Sequence, residues 1–224
     1  MRSCAPDLHT GDLFASQQPT IPGLEQLGEG AVLLRGFVQD DVALFVALQE
    51  VMRQAPLRHM VTPGGFRMSV AMTNCGRLGW ISDAAGYHYR QIDPLNRLPW
   101  PPMPDIFLAL ARTAASRAGF DDFVPDACLI NQYVPGARLT LHQDRNESDL
   151  AAPIVSVSLG IPAVFQFGGL ERSSPLARLP LAHGDVVVWG GASRLRFHGV
   201  LPLKPAHHPL TGAMRYNLTF RHAG

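Results

Sequence analysis

The run Leu139-Thr140-Leu141-His142-Gln143-Asp144 decides how this chain is read. It is strand-like, and a strand throws successive side chains to opposite faces, so His142 and Asp144 share one face. Similar short runs fill the second half of the chain, at 127–133, 138–144, 154–160, 163–168, 178–181, 185–189, 195–203 and 214–221. Gly and Pro clusters such as Pro135-Gly136 and Gly190-Gly191 separate most of them. Many short strands punctuated in this way predict a sandwich or barrel.

Upstream the pattern differs. Residues 1–27 are rich in Pro, Gly, Gln and Ser without a steady period and read as a loosely ordered leader. Ala31-Val32-Leu33-Leu34 opens the ordered body as a strand. One helix is predicted from Asp40 or Asp41 to about Arg53 and a second from Pro104 to Arg117, ended by Gly119. Both are expected to cover a sheet. Residues 62–101 between them are turn-rich and aromatic and read as an irregular lid.

A chain of 224 residues with 46% hydrophobic and 17% charged residues is sized for one globular domain, taken as 28–224. The formal charge of +1 excludes a global basic field, so any nucleic-acid contact must be local. Arg53, Arg58, Arg67, Arg77, Arg90 and Arg97 are candidates for a local rim or for a dispersed solvated surface. Cys4, Cys75 and Cys128 are odd in number and lack metal spacing, which argues for a reducing compartment. No signal-like or membrane-spanning run is present, and a monomeric cytoplasmic protein is expected.

Two imidazoles and a carboxylate on one side of a metal leave its other side open, an arrangement suited to non-haem Fe(II). His142 and Asp144 supply two such donors, and His198, shortly before the last strand, is the candidate third. A lone His-x-Asp pair is more often a surface turn or an ion-paired face. The last strand, Met214 to Arg221, sets Tyr216, Leu218 and Phe220 against Arg215, Asn217, Thr219 and Arg221. Its polar side is either solvated or built for a dicarboxylate, since arginine forks bind carboxylates bidentately. Asn131 and Tyr133 share a face on a neighbouring strand and could line the same cavity.

The order His-x-Asp, His, Arg-x-Asn-x-x-x-Arg resembles the Fe(II)/2-oxoglutarate dioxygenases, and within them the bacterial AlkB family. The likeness runs from about residue 28 to the end. It is carried by Met60 to Gly65, Met68 to Gly76, Pro125 to Asn131, Leu141 to Asp144, Pro153 to Gly160, Phe165 to Leu170 and Arg215 to Arg221. The resemblance implies a mostly β fold with flanking helices, a double-stranded β-helix or jelly-roll barrel of the cupin type. It implies Fe(II) held by His142, Asp144 and His198. The co-substrates are 2-oxoglutarate and O2, with 2-oxoglutarate held by Asn131, Tyr133, Arg215, Asn217 and Arg221. Arg215 is assigned the distal carboxylate and Arg221 the one near the metal.

By the same resemblance the activity is oxidative demethylation of N1-methyladenine and N3-methylcytosine. The substrate is alkylated single-stranded DNA, with double-stranded DNA and RNA as further candidates. Trp80 matches a base-stacking position. Tyr87, His88, Tyr89 and Arg172 match substrate-contacting ones. Asn146 departs from the pattern, because the close bacterial relatives carry an acid there that contacts the damaged base. Glu147 is the candidate replacement. Two alternatives stay open: the same chemistry on another substrate, such as modified RNA, a protein or a small molecule, and a non-catalytic binding module on an inactive barrel.

Overall fold

The computed structural model describes residues 23–224. In chain order the elements are β1 (Leu24–Gly28), β2 (Ala31–Leu34), α1 (Asp41–Gln54), β3 (Arg58–Val61), β4 (Arg67–Gly76), β5 (Gly79–Asp83) and β6 (Gly86–Arg90). There follow α2 (Asp105–Arg117), β7 (Ala127–Tyr133), β8 (Leu139–His142), β9 (Ile154–Gly160) and β10 (Ala163–Phe167). The last are β11 (Ala177–Leu181), β12 (Val186–Trp189), β13 (His198–Val200) and β14 (Arg215–Arg221).

An eight-stranded sheet runs β1-β2-β12-β9-β14-β7-β4-β3, and a four-stranded sheet runs β11-β10-β13-β8. Every pairing within them is antiparallel. The two sheets close on an apolar interior that holds Leu33, Ile154, Val187 and Trp189 of the larger and Phe165 and Phe167 of the smaller. The intervening residues of the same strands, Val32, Val155, Val186 and Val188, face the other way, against Leu44 and Leu48 of α1 and Phe107 and Ala111 of α2. A sheet covered on both faces needs apolar residues at successive positions, which explains these unbroken runs.

The helices begin where the sequence predicts. Asp40 caps α1 by accepting the Ala43 N–H at 2.9 Å. Pro104 precedes the first turn of α2, whose buried Ala111, Ala114 and Ala115 let it lie close to the sheet.

Two expectations are corrected. The segment 62–101 is not an irregular lid throughout. It contains β4, ten residues long and paired with β3 and β7 in the large sheet, and the separate β5–β6 hairpin. Polar residues disguised β4. Thr73 is buried and donates to the Ala55 carbonyl at 2.8 Å, while Asn74 exchanges two 3.0 Å bonds with the Trp80 backbone. The leader, too, is shorter than read. Leu24–Gly28 forms β1, paired with β2, and Glu25 is tied to Arg35 at 2.7 Å. The rest of that expectation, residues 1–22, lies outside the described residues. No helix among the described residues is long and apolar enough to cross a membrane.

Candidate metal and co-substrate site

β8 and β13 are neighbours in the smaller sheet, and their register sets His198 opposite His142. Gly199 makes this pairing possible, because a β-carbon there would stand 2.8 Å from the Leu139 carbonyl oxygen. β8 ends at His142, two residues short of expectation, yet Asp144 still reaches both imidazoles. Its Oδ1 lies 3.6 Å from His142 Nε2 and its Oδ2 lies 3.7 Å from His198 Nε2. The three donor atoms fall within 4.8 Å of one another.

The tautomers suit a metal. His142 Nδ1 is 2.8 Å from the Thr140 carbonyl and His198 Nδ1 is 3.0 Å from that of Arg196. A carbonyl only accepts, so each Nδ1 carries the proton and each Nε2 presents a lone pair towards Asp144. Burial, aided by the neighbouring His198, holds His142 down to about 4, so its imidazole is neutral near pH 7. Burial pushes Asp144 upward, but Arg221 and the two imidazoles outweigh it and carry the carboxyl well below the usual range.

These donors sit at the inner end of a cavity of about 200 Å³. Arg215, Asn217, Thr219 and Arg221 of β14 line it, so the polar face of the last strand looks into the barrel rather than at solvent. Arg215 is 1% exposed, and its Nε and Nη1 have no hydrogen-bond partner among the described residues. Burial pushes its guanidinium down from the ordinary value, with Tyr133, whose ring lies 5.0 Å from Cζ, opposing. The carboxamide oxygen of Asn131 is also buried and unpartnered. A buried cation with spare donors and no acid beside it is strongly unfavourable unless an anion completes it. The donors of Arg215 therefore fit the carboxylate of a small acid, and the His142–Asp144–His198 group fits a divalent iron.

The other expected ligands are less free. Asn217 spends its amide nitrogen on Ser156 and Val157 and its oxygen on Thr219. Arg221 donates to Asp144 Oδ2 from Nη2 at 2.7 Å and from Nε at 3.2 Å, leaving Nη1 unpartnered.

At the mouth, Trp80 and Tyr87 both line the cavity and stack on each other, their ring centroids 5.6 Å apart at 14°. Asn146 is exposed and lines the same opening. Three expected contacts are not brought to the cavity. His88 sits on the opposite face of β6 from Tyr87 and pairs with Asp83 at 3.2 Å. Tyr89 is turned to Glu147, its hydroxyl 2.6 Å from Oε1. Arg172 lies outside the wall, donating to the Leu141 carbonyl and resting over Phe197. Glu147 cannot replace an acid at position 146, because its carboxylate is buried against Tyr89, Arg194 and Arg221. Of the candidate rim, Arg53, Arg58 and Arg77 are engaged by Glu50, Asp93 and Asp126. The sequence reading missed Arg194, a buried arginine after a glycine turn that no local pattern marks.

Comparison with known proteins agrees with this geometry. A profile described as the 2OG-Fe(II) oxygenase superfamily matches residues 30–221. The chain is 59% identical over 214 residues to the alpha-ketoglutarate-dependent dioxygenase AlkB of Escherichia coli, covering 95% of this chain and 98% of that protein. It is 41% identical over 210 residues to the AlkB homologue of Caulobacter vibrioides, covering 90% and 94%. Among solved structures, that of OsALKBH1 superposes with a TM-score of 0.76 at 28% identity, over 88% of this chain and 99% of that one. With its metal donors, its acid-free buried arginine and these relatives, the chain belongs to the 2OG-Fe(II) oxygenase superfamily and, within it, to the bacterial AlkB family.

Proposed function

We propose that this dioxygenase removes N-alkyl groups from nucleic-acid bases, with N1-methyladenine and N3-methylcytosine in single-stranded DNA as substrates and RNA as a second target. One observation carries the reading: a single cavity joins three converging metal donors and an acid-free arginine at its inner end to a stacked aromatic pair at its mouth. The names of the relatives support it, including nucleic acid dioxygenase ALKBH1 of Homo sapiens, 32% identical over 58% of this chain and 33% of that protein.

Fe(II) with 2-oxoglutarate would supply the oxidation: 2-oxoglutarate loses CO2 and takes one oxygen atom of O2 to become succinate, and the other oxygen atom goes to the alkyl carbon. His142, Asp144 and His198 would hold the iron. The Arg215 fork takes the distal carboxylate of 2-oxoglutarate, and Tyr133, Asn131 and Asn217 shape the pocket around it. Arg221, whose Nη1 has no partner among the described residues, would hold the carboxylate nearer the metal. A base must leave its stack to enter so deep a cavity, and Trp80 and Tyr87 receive it by stacking. Asn146 meets its polar edge, while His88, Tyr89 and Arg172 brace the surrounding elements. The hydroxylated group then leaves as an aldehyde and the base is restored. The domain that carries this extends over 28–224, with β1 added at its start, and it works as a monomer in the cytoplasm.

The test is anaerobic Fe(II) loading, then air, 2-oxoglutarate and a short single strand bearing N1-methyladenine. Equal yields of formaldehyde and succinate, both abolished in His142→Ala, are expected. Succinate without formaldehyde would discard the base as substrate while keeping the dioxygenase.

A further inference from the structure

Beside the metal donors lies a buried group of charges that the chemistry does not use directly. Glu147, with a side chain 2% exposed, accepts the Tyr89 hydroxyl at 2.6 Å and Arg194 Nη2 at 3.1 Å, and it lies 3.3 Å from Arg221 Nε. Arg194 also donates to the backbone carbonyls of Asp144 at 2.7 Å and Ala152 at 3.0 Å. Arg221 donates to the Asp144 carboxylate. Glu147 therefore engages both arginines that fix Asp144, one through its backbone and one through its side chain. Two cations and two anions close the group without excess charge.

Such a group is stable only when every member is satisfied. One of the bonds to Glu147 comes from outside the barrel. Tyr89 belongs to the β5–β6 hairpin, where it pairs across the strands with Trp80. Its hydroxyl keeps its proton, since burial, above all, raises it well beyond the ordinary tyrosine value. Tyr89 thus donates to Glu147 only while the hairpin is seated.

We propose that Glu147 is a positioning residue: it locks Arg194 and Arg221 onto Asp144 and, through Tyr89, couples the hairpin's hold on a base to the barrel's hold on the metal. The inference rests on the reading of this site as a base-dealkylating metal centre, but its metal half is measurable without nucleic acid. Coupling of this kind is reciprocal: if metal tightens base binding, base tightens metal binding by the same factor.

Co(II) titration followed by visible absorption reads the metal affinity and ligand field without turnover. Fluorescence anisotropy of a labelled single strand bearing N1-methyladenine, with and without Co(II) and 2-oxoglutarate under argon, reads the coupling. Glu147→Gln should weaken Co(II) binding by about 10–100-fold, the loss typical of an outer partner of a metal ligand, and shift its absorption band. Tyr89→Phe keeps the ring but removes one of the bonds to Glu147, so Co(II) affinity should fall by less than in Glu147→Gln. The parent's coupling, expected at about 5–150-fold, should fall towards unity in that variant. Unchanged Co(II) affinity in Glu147→Gln overturns the positioning role, and unchanged coupling in Tyr89→Phe overturns the link to the hairpin. Should Glu147→Gln fail to fold, Tyr89→Phe decides alone. A parent protein that binds the strand equally well with and without metal also overturns the coupling. No binding of the strand at all would sink the dealkylase reading, while the Co(II) titration still decides Glu147.

Discussion

The inner and outer ends of the cavity are built to different standards. At the inner end, His142, His198, Arg215 and Arg221 stand on strands paired on both sides within the sheets or, for β8, paired with β13, His142 opposite His198. Nearly every polar atom there has a partner or an evident ligand to meet. At the outer end, Trp80 and Tyr87 stand on a two-stranded sheet of their own, and Asn146 sits on an exposed loop. A metal centre tolerates little displacement, so rigid neighbours suit it. A recognition surface for bases needs only a flat aromatic and adjustable polar groups. Damage at the two ends should therefore differ in kind: loss of chemistry within, loss of affinity or selectivity without.

The largest effect is expected from Asp144→Ala, which removes a candidate metal donor and one of the two anions beside Arg221. Metal affinity should fall by more than the about 10–100-fold that loss of an outer partner costs, and succinate formation should vanish. Retained Co(II) binding in that variant would dissolve the distinction between the two ends. Next is Arg215→Lys. It keeps the charge but loses the fork, and hydrogen bonds to charged groups are worth about 1.5–3 kcal/mol, so half-saturating 2-oxoglutarate should rise about 10–150-fold. Oligonucleotide affinity measured without 2-oxoglutarate should not follow. If both move together, Arg215 does not belong to the inner end alone.

Legibility in the sequence follows the same divide. The inner end was readable because strands with buried faces keep a strict period of two, which put Arg215, Asn217, Thr219 and Arg221 on one side and Tyr216, Leu218 and Phe220 on the other. What alternation could not say is whether that polar side faced water or a cavity. Only the second sheet, closing through the β8–β13 pairing, decides it. The hairpin was legible as aromatic but not as a hairpin. Tyr87, His88 and Tyr89 look alike along the chain; the pleat turns His88 away to Asp83, while Tyr87 and Tyr89 of the other face meet Trp80 and Glu147. β4 was hidden because Thr73 and Asn74 are buried by bonds to backbone groups distant in pattern, a satisfaction that no periodicity reveals. Arg194 was invisible for the same reason. Its partners, Asp144, Glu147 and Ala152, lie more than forty positions away.

Effects at the outer end should be smaller. Trp80→Ala removes the stacking platform, and stacking of one base is worth about 1–3 kcal/mol, or roughly 5–150-fold in KM for the oligonucleotide. Half-saturating 2-oxoglutarate should be unchanged. A fall in kcat at saturating oligonucleotide would show instead that the hairpin helps to align the alkyl carbon.

The smallest effect is expected at Asn146, and it concerns selectivity alone. Among the described residues that line the cavity the one acid is Asp144, which Arg221 engages and which would hold the metal, and Glu147 is sealed behind it. A cationic base such as N1-methyladenine therefore meets no free carboxylate at the mouth, only an amide able to donate and to accept. Charge should give the parent protein little preference for cationic over neutral alkylated bases. Asn146→Asp adds the missing charge at an exposed position, where an ion pair is worth about 0.2–1 kcal/mol, so the ratio of kcat/KM for N1-methyladenine over neutral N1-methylguanine should rise by at most about fivefold. High salt should erase the gain, since exposed pairs are screened. A ratio that stays fixed at low salt would mean that the mouth reads shape and hydrogen bonding only, and that the outer end is as indifferent to charge as the inner end depends on it.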